Sequence, residues 1–221
     1  MTEFPRPWPD HITLQGQYCR LEPLSLCHAG NLYEASAGQE NSSRFEYLFE
    51  YPPKGRADVE AWLTSASQSA DPLYFAVIDL SSGRCEGRQA LMRINPGQGS
   101  IELGGIYWGP AISRTRVATE ACFLHLQYAF ETLGYRRFEW KCNNLNEASK
   151  RAALRFGFSF EGVFRQHMMI KGKNRDTAWF SIIDQEWPAV KAGFEAWLNP
   201  ENFDSQGQQI ERLQINREAG S

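Results

Sequence analysis

Residues 100–121 read SIELGGIYWGPAISRTRVATEA, and the change of character along this stretch decides the fold. Ser100 to Trp108 is strand material, interrupted by a Gly104-Gly105 pair that marks a bulge or a close backbone approach. The loop GPAISRTR follows. From Val117 to Leu133 nearly every residue is apolar or small, with Glu120, Gln127 and Glu131 on one face, which predicts a buried helix. A helix start leaves about four amide N–H groups unpaired and carries roughly half a positive charge, so an anion there is stabilised. Arg114 and Arg116 add charge, Thr115 and Thr119 add hydroxyls, and Ala118 and Ala121 keep the first turn slim. A pyrophosphate suits such a place; a solvated arginine loop is the other reading. Neither GxGxxG nor GxxxxGK[ST] occurs, so the site is neither a dinucleotide fingerprint nor a P-loop.

Working outward, LYFAVIDL at 73–80 and GRQALMRI at 87–94 read as two strands that precede strand 100–108, giving an antiparallel meander turned at NPGQG. Upstream lie an extended lead-in with Pro5, Pro7 and Pro9, a strand at 17–24, a helix from Ser25 to about Ala37 and another from Asp58 to about Ser69. Downstream, RRFEWKC alternates as a half-buried strand, and Glu147 to Phe156 forms a helix with Asn146 as N-cap and Gly157 beyond its end. FSFEGVFRQHMMI and DTAWFSII form a hairpin turned at GKNR. A last helix covers Trp187 to Leu198, and the polar tail from Asn199 reads as mobile. The expected organisation is a lead-in at 1–16, one domain at 17–187, and a C-terminal helix and tail at 188–221.

The chain has 221 residues, 42% hydrophobic and 22% charged, an ordinary globular composition. At this length a fold buries roughly 70% of the unfolded surface and needs no staples. A net charge of −3 argues against a general nucleic-acid partner. No window approaches a membrane span, and the N-terminus lacks a basic, then apolar leader, so a soluble cytoplasmic protein with no membrane partner is expected. Cys19, Cys27, Cys85, Cys122 and Cys142 show no CxxC or Cys/His spacing and read as reduced, buried thiols, with no metal site.

The run WGPAISRTRVATEA over 108–121, with YAFETLGYRRFEWKCNNLNEASKRAALRFGFSFEGVFRQHMMIKGKNRDTAWFSI over 128–182, resembles the GCN5-related N-acetyltransferases (GNAT), most closely the RimJ/RimL-like branch of ribosomal-protein N-terminal acetyltransferases. The resemblance covers about residues 17–187 and is carried by the arginine loop into ATEA, the N-x-x-S of Asn146 and Ser149, and RFGFSFEGV at 155–163. It implies an α/β (α+β) GNAT fold: a twisted, mixed, mostly antiparallel sheet of about six to seven strands flanked by helices, with a splayed parallel pair that admits acetyl-CoA. The family's Q/R-x-x-G-x-G/A motif falls on Ser113-Arg114-Thr115-Arg116-Val117-Ala118, where Ser113 replaces Gln/Arg and Arg116 replaces the first Gly. An Arg there is compatible with amide binding if its φ is negative.

By the same resemblance, coenzyme A is expected against Ile106, Tyr107, Trp108, the Ser113–Thr119 stretch (Ser113, Arg114, Thr115, Arg116, Val117, Ala118, Thr119), Asn146, Ser149 and Arg151, with Lys150 and Arg151 near the 3′-phosphate. Transfer to an amine needs a base, a donor to the thioester oxygen and a proton for the leaving thiolate. Glu102 is the first candidate base, on a face with Gly104, Ile106 and Trp108; its other reading is an exposed strand carboxylate. The backbone N–H near Ile106 is the expected oxyanion donor, and Ser149 the proton donor or thiolate partner. Asn146 has a second reading as a plain N-cap. His167 is a candidate on the substrate side, and both it and His125 have structural readings. A cysteine acyl carrier is set aside, since no Cys/His pairing is legible.

The acceptor is expected at 38–52, where Phe45, Tyr47, Phe49 and Tyr51 alternate with Glu46, Leu48 and Glu50, and where Glu40, Glu46 or Glu50 would attract a cationic amine. Packing of those rings on the core is the other reading. The activity implied is direct acetyl transfer to a primary amine, a protein N-terminus or a small molecule, by a monomer or homodimer. A GNAT-fold module that binds acyl-CoA or a partner without catalysis is the alternative.

Overall fold

The longest apolar runs become the middle of a sheet. In the computed structural model, which describes residues 4–216, β3 (Leu73–Asp79) is buried at nearly every position and pairs antiparallel with β4 (Arg84–Asn95). The chain folds as two compact units, one of Pro9–Ile94 and Glu102–Leu124, the other of Met1–Trp8, Asn95–Ile101 and His125–Ser221.

In the first unit β1 (Leu14–Gln15), β2 (Cys19–Pro23), β3, β4 up to Ile94 and, from Glu102 onward, β5 (Ser100–Trp108) lie side by side in that order. One face packs on α1 (Ala29–Ser36) and α2 (Arg56–Ala66), where Leu32, Leu63, Ala76, Ile78 and Cys85 share an apolar cluster. A register shift between Val77 and Ile78 leaves Arg88 opposite Ala76, on this same face. Gln89 takes the other face, where its amide donates to the Ala121 carbonyl of α3 (Arg116–Gln127) at 2.8 Å. Glu120, also on α3, is buried and accepts from the N–H groups of Gln17, Tyr18 and Cys19 at 2.8, 2.6 and 2.7 Å. That carboxylate ties the β1–β2 turn to the helix. Leu14–Gln15, inside the expected lead-in, pair with β2, which brings the strands among the described residues to eight.

The second unit holds β6 (Arg137–Asn143), β7 (Ser159–Ile170) and β8 (Lys173–Ile183), with β8 between the other two and both pairings antiparallel. Phe138, Trp140 and Cys142 alternate inward along β6, as the pattern predicts. Trp140 meets Phe158 edge-on at 5.6 Å, and Phe156 meets Phe194 of α5 (Trp187–Leu198) at 5.9 Å. Helix α4 (Glu147–Arg155) ends at Gly157, whose φ of +85° is the left-handed turn expected there.

Two expectations give way in this unit. The helix read to Leu133 is α-helical only to Gln127 and continues as a π-helical turn, Tyr128–Thr132. The tail read as mobile from Asn199 instead docks on α5: the Trp197 indole donates to Gln209 at 2.9 Å and its ring meets Phe203 at 5.0 Å. The polar composition concealed Phe203 and Gln209, whose contacts hold the segment. Residues 217–221 of that tail, and 1–3 of the lead-in, lie outside the described residues.

Cys19, Cys85, Cys122 and Cys142 are buried free thiols, whereas Cys27, expected buried, is exposed at the turn before α1. Among the described residues no helix is long and apolar enough to cross a membrane.

Candidate active site

The loop into α3 is braced by its own hydrogen bonds. The Ser113 hydroxyl donates to the Trp108 carbonyl at 2.8 Å and accepts from Arg44 Nη1 at 2.8 Å, while Arg44 also donates to the Trp108 carbonyl at 3.2 Å. Ser113 therefore serves as a loop strut, and Arg44, which the sequence reading missed, stands beside it as a third cation. The Thr115 hydroxyl caps α3, accepting from the Val117 N–H at 3.2 Å and donating to the Ile112 carbonyl at 2.7 Å.

Arg114 is left-handed at φ +64°, two residues before α3, while the Ser113 and Thr115 N–H groups on either side of it donate within the loop, to the Gly109 and Ile112 carbonyls at 3.0 and 3.2 Å. Arg116 is the first residue of α3 and so has the negative φ that its place in the motif requires; its guanidinium lies 4.4 Å from the Tyr18 ring centroid. Val117 and Ala118 are buried, leaving their backbone as what they can offer a ligand. The Thr119 hydroxyl, expected as a ligand donor, is buried and donates to the Thr115 carbonyl at 3.1 Å. No acid stands in the first turn of α3. Its start is cationic and presents N–H groups, a fit for a pyrophosphate.

On β5 the expected irregularity falls at Gly105, φ +56°, where a Cβ would lie 2.9 Å from Tyr74 Cε1. It shifts the alternation by one residue. Hypothetical Cβ atoms at Gly104 and Gly105 both meet side chains of one face, Met92 and Tyr74, and Tyr107 follows on that face, its hydroxyl donating to the Ala35 carbonyl of α1 at 2.8 Å. Trp108 faces the other way, donating to Gln89 Oε1 at 3.0 Å. Glu102 thus shares a face with Gly104 but not with Ile106 and Trp108, a correction forced by the bulge.

Glu102 is not the exposed strand carboxylate of the other reading. It is 3% exposed and accepts from Arg93 Nη1 at 2.7 Å, with Arg93 itself at φ +49° and its N–H bonded to Asp71 at 2.8 Å. Tyr107, expected against the cofactor, is buried, and burial pushes its phenol up to about 12. Its side chain is core, and so is Phe45, whose ring lies 4.9 Å from it.

The rings at 45–51 do not share one environment. Gln39–Phe45 forms a 3-10 stretch, which turns Phe45 inward, leaves Tyr47 half-buried, and exposes Phe49 and Tyr51. Glu50 pairs with Arg88 at 3.1 Å, while Glu40 and Glu46 are exposed.

In the β6–β8 unit Asn146 caps α4, accepting from the Ser149 N–H at 3.0 Å. The Ser149 hydroxyl accepts from the Trp140 indole at 2.9 Å and also bonds the Cys142 thiol, which burial nonetheless pushes above its ordinary range. Lys150 pairs with Glu147 at 2.7 Å, and Arg151 is exposed on α4. His167 is exposed on β7, with Nδ1 3.0 Å from Thr177 Oγ1. His125 is fully buried and burial pushes its pKa down to about 3, so it is a structural residue and too weak a base for neutral pH.

The candidates thus divide between the units. Phe45, Tyr47, Glu102, Ile106 to Trp108 and Ser113 to Thr119 belong to one, and Asn146, Ser149, Arg151 and His167 to the other.

The family described as "Acetyltransferase (GNAT) domain" matches residues 19–159. A protein of Bacillus subtilis (strain 168) named "Putative ribosomal N-acetyltransferase YdaF" is 28% identical over 113 residues, 51% of this chain and 61% of YdaF. The chain therefore matches about three fifths of that relative's length. A crystal structure of a GCN5-related N-acetyltransferase from Brucella melitensis superposes with a TM-score of 0.94 at 59% identity, covering 97% of each chain. A GNAT-family structure from Chromobacterium violaceum ATCC 12472 gives 0.79 at 38% identity, covering 85% of this chain and 93% of the other.

Proposed function

We propose that this chain, which belongs to the acetyltransferase (GNAT) family, transfers an acetyl group from acetyl-CoA directly to a primary amine. The observation that carries this reading is the start of α3, a braced loop with Arg44, Arg114 and Arg116 around it and no acid in its first turn. A diphosphate group of coenzyme A is the ligand this charge and these amides suit. Acetyl-CoA supplies the activated acyl group, and the residues of the chain supply position and proton traffic.

The amine nitrogen must be neutral to attack the thioester carbon; the C–S bond then breaks, the nitrogen loses a proton and the thiolate gains one. An α-amino group has a pKa near 8, so its deprotonation costs little, whereas a lysine near 10.4 costs about three units, roughly 4 kcal/mol. We therefore favour α-amino and similarly weak amine bases as acceptors. Arg93 beside Glu102 keeps a carboxylate in place as the candidate base, acting through water. The Ile106 N–H is the candidate donor to the thioester oxygen and Ser149 the candidate donor to the thiolate. Exposed Phe49 and Tyr51 would meet the acceptor. The name of YdaF makes a ribosomal protein N-terminus one candidate acceptor. The free thiols suit a reducing, cytoplasmic setting.

Calorimetric titration with acetyl-CoA tests the reading. Binding in the micromolar range is expected, and no detectable binding at millimolar ligand overturns it. Thiol release across a panel of amines is expected next; binding with no release from any amine favours the non-catalytic alternative. Glu102→Gln should lower turnover much more than acetyl-CoA affinity.

A further inference from the structure

A guanidinium inside an apolar sheet needs partners, because an unpaired buried charge is strongly destabilising. Arg88 lies within β4 opposite Ala76, and its side chain is only 6% exposed. Its Nη1 donates to the Gly105 carbonyl of β5, its Nη2 lies 3.1 Å from Glu50 Oε1, and its guanidinium carbon is 4.1 Å from the Trp62 ring centroid and 5.6 Å from that of Tyr74. Trp62 and Tyr74 brace each other edge to face at 5.2 Å. The planar fork of arginine is what permits stacking, ion pairing and carbonyl binding at once, and lysine could not satisfy all three.

The carbonyl that Arg88 holds is not an arbitrary one. Gly105 C=O and Ile106 N–H belong to a single peptide unit, and that unit is trans. In a planar trans peptide the two groups point in opposite directions, so a fixed carbonyl fixes the N–H. The Gly104-Gly105 pair is also where β5 has the greatest backbone freedom, Gly105 being left-handed at φ +56°. A cation on the carbonyl oxygen polarises the peptide and strengthens its N–H as a donor.

We propose that Arg88 is a positioning residue that aims and polarises the Ile106 N–H, and that its ion pair with Glu50 links this donor to the 46–52 segment. The inference rests on the acetyl-transfer reading, in which Ile106 N–H receives the thioester oxygen. Arg88 touches neither reactant; it acts through the peptide it holds.

The test uses the full chain with acetyl-CoA carrying 13C at the thioester carbonyl, read by difference infrared spectroscopy, since a carbonyl that accepts a stronger hydrogen bond absorbs at lower frequency. The expected result is a low-frequency band in the unsubstituted protein, a shift to higher frequency in Arg88→Met and Arg88→Gln, and partial return in Arg88→Lys. Affinity for CoA, which lacks the carbonyl, should stay within about twofold across the set. Glu50→Gln, at a side chain 25% exposed, keeps the fold and loosens the guanidinium, so its band should move the same way by less. Bound acetyl-CoA whose band is the same in Arg88→Gln and Glu50→Gln as in the unsubstituted protein overturns the role of Arg88. Failure of the unsubstituted protein to bind acetyl-CoA would instead overturn the acetyl-transfer reading on which it rests.

Discussion

Helices α3 and α4 both begin after a polar run, and they are finished in opposite ways. Helix α4 answers its own N-terminal charge: Asn146 accepts from the Ser149 N–H, and Glu147 stands in the first turn, paired with Lys150. Helix α3 is capped by Thr115 but flanked by Arg114 and Arg116, with no acid in its first turn. The nearest carboxylate along α3, Glu120, is occupied by three backbone N–H groups of residues 17–19. A helix that neutralises itself leaves little field for a ligand, whereas one that gathers cations and diverts its acid leaves a positive potential to be met from outside.

The difference can be broken most forcefully at Glu120. Glu120→Ala removes the acceptor of three buried N–H groups and should lower stability by roughly 3–5 kcal/mol, seen as a fall in the urea midpoint; Glu120→Gln should recover part of it. The C-terminal ends offer the next test. Arg155 ends α4 with its guanidinium 4.7 Å from the Trp197 ring centroid, whereas burial in α3 pushes His125 down to about 3. The folded chain then excludes a proton that the unfolded chain takes up below pH 6.5, so stability is full above 6.5 and is lost as pH falls toward 3. At pH 5 the loss should be about 2 kcal/mol, and His125→Gln should flatten this acid limb in urea titrations at pH 7 and 5.

Arg116→Glu gives α3 the acid that α4 already has. CoA affinity by calorimetry should drop by about tenfold at low ionic strength and by less in salt. The mildest change is at α4, where Asn146→Ala should cost about 1 kcal/mol of stability and Asn146→Asp should restore it, with CoA affinity following neither.

Features written in short-range chemistry were legible in the sequence. The N-cap of α4, its Gly157 stop, the inward alternation of β6 and the span of α5 all rest on neighbours a few residues apart. The irregularity in β5 was legible as well, but not its effect on which face follows, because register past a bulge is set by the adjoining strand. Phe45 stands in a run of rings that the sequence leaves open between an acceptor mouth and the core, and the 3-10 stretch decides for the core by turning it against Tyr107. The Glu120 contacts join residues about a hundred apart in sequence, and no local pattern announces them. Arg88 did leave a trace: an Arg-Gln pair near the start of the strand GRQALMRI, where each side chain requires a partner on its own face of the sheet.

The distribution of the five thiols sets how the protein will behave toward electrophiles. Burial pushes the Cys85 thiol up to about 12 and raises Cys19 and Cys142 as well, so none of these is a ready thiolate at neutral pH. Cys122 is enclosed, and Cys27 alone among the five is exposed. A chromogenic disulfide should titrate one sulfur per chain promptly and the rest only after denaturation. Free coenzyme A generated by turnover would then register above a fixed offset of one equivalent, and Cys27→Ser would remove that offset.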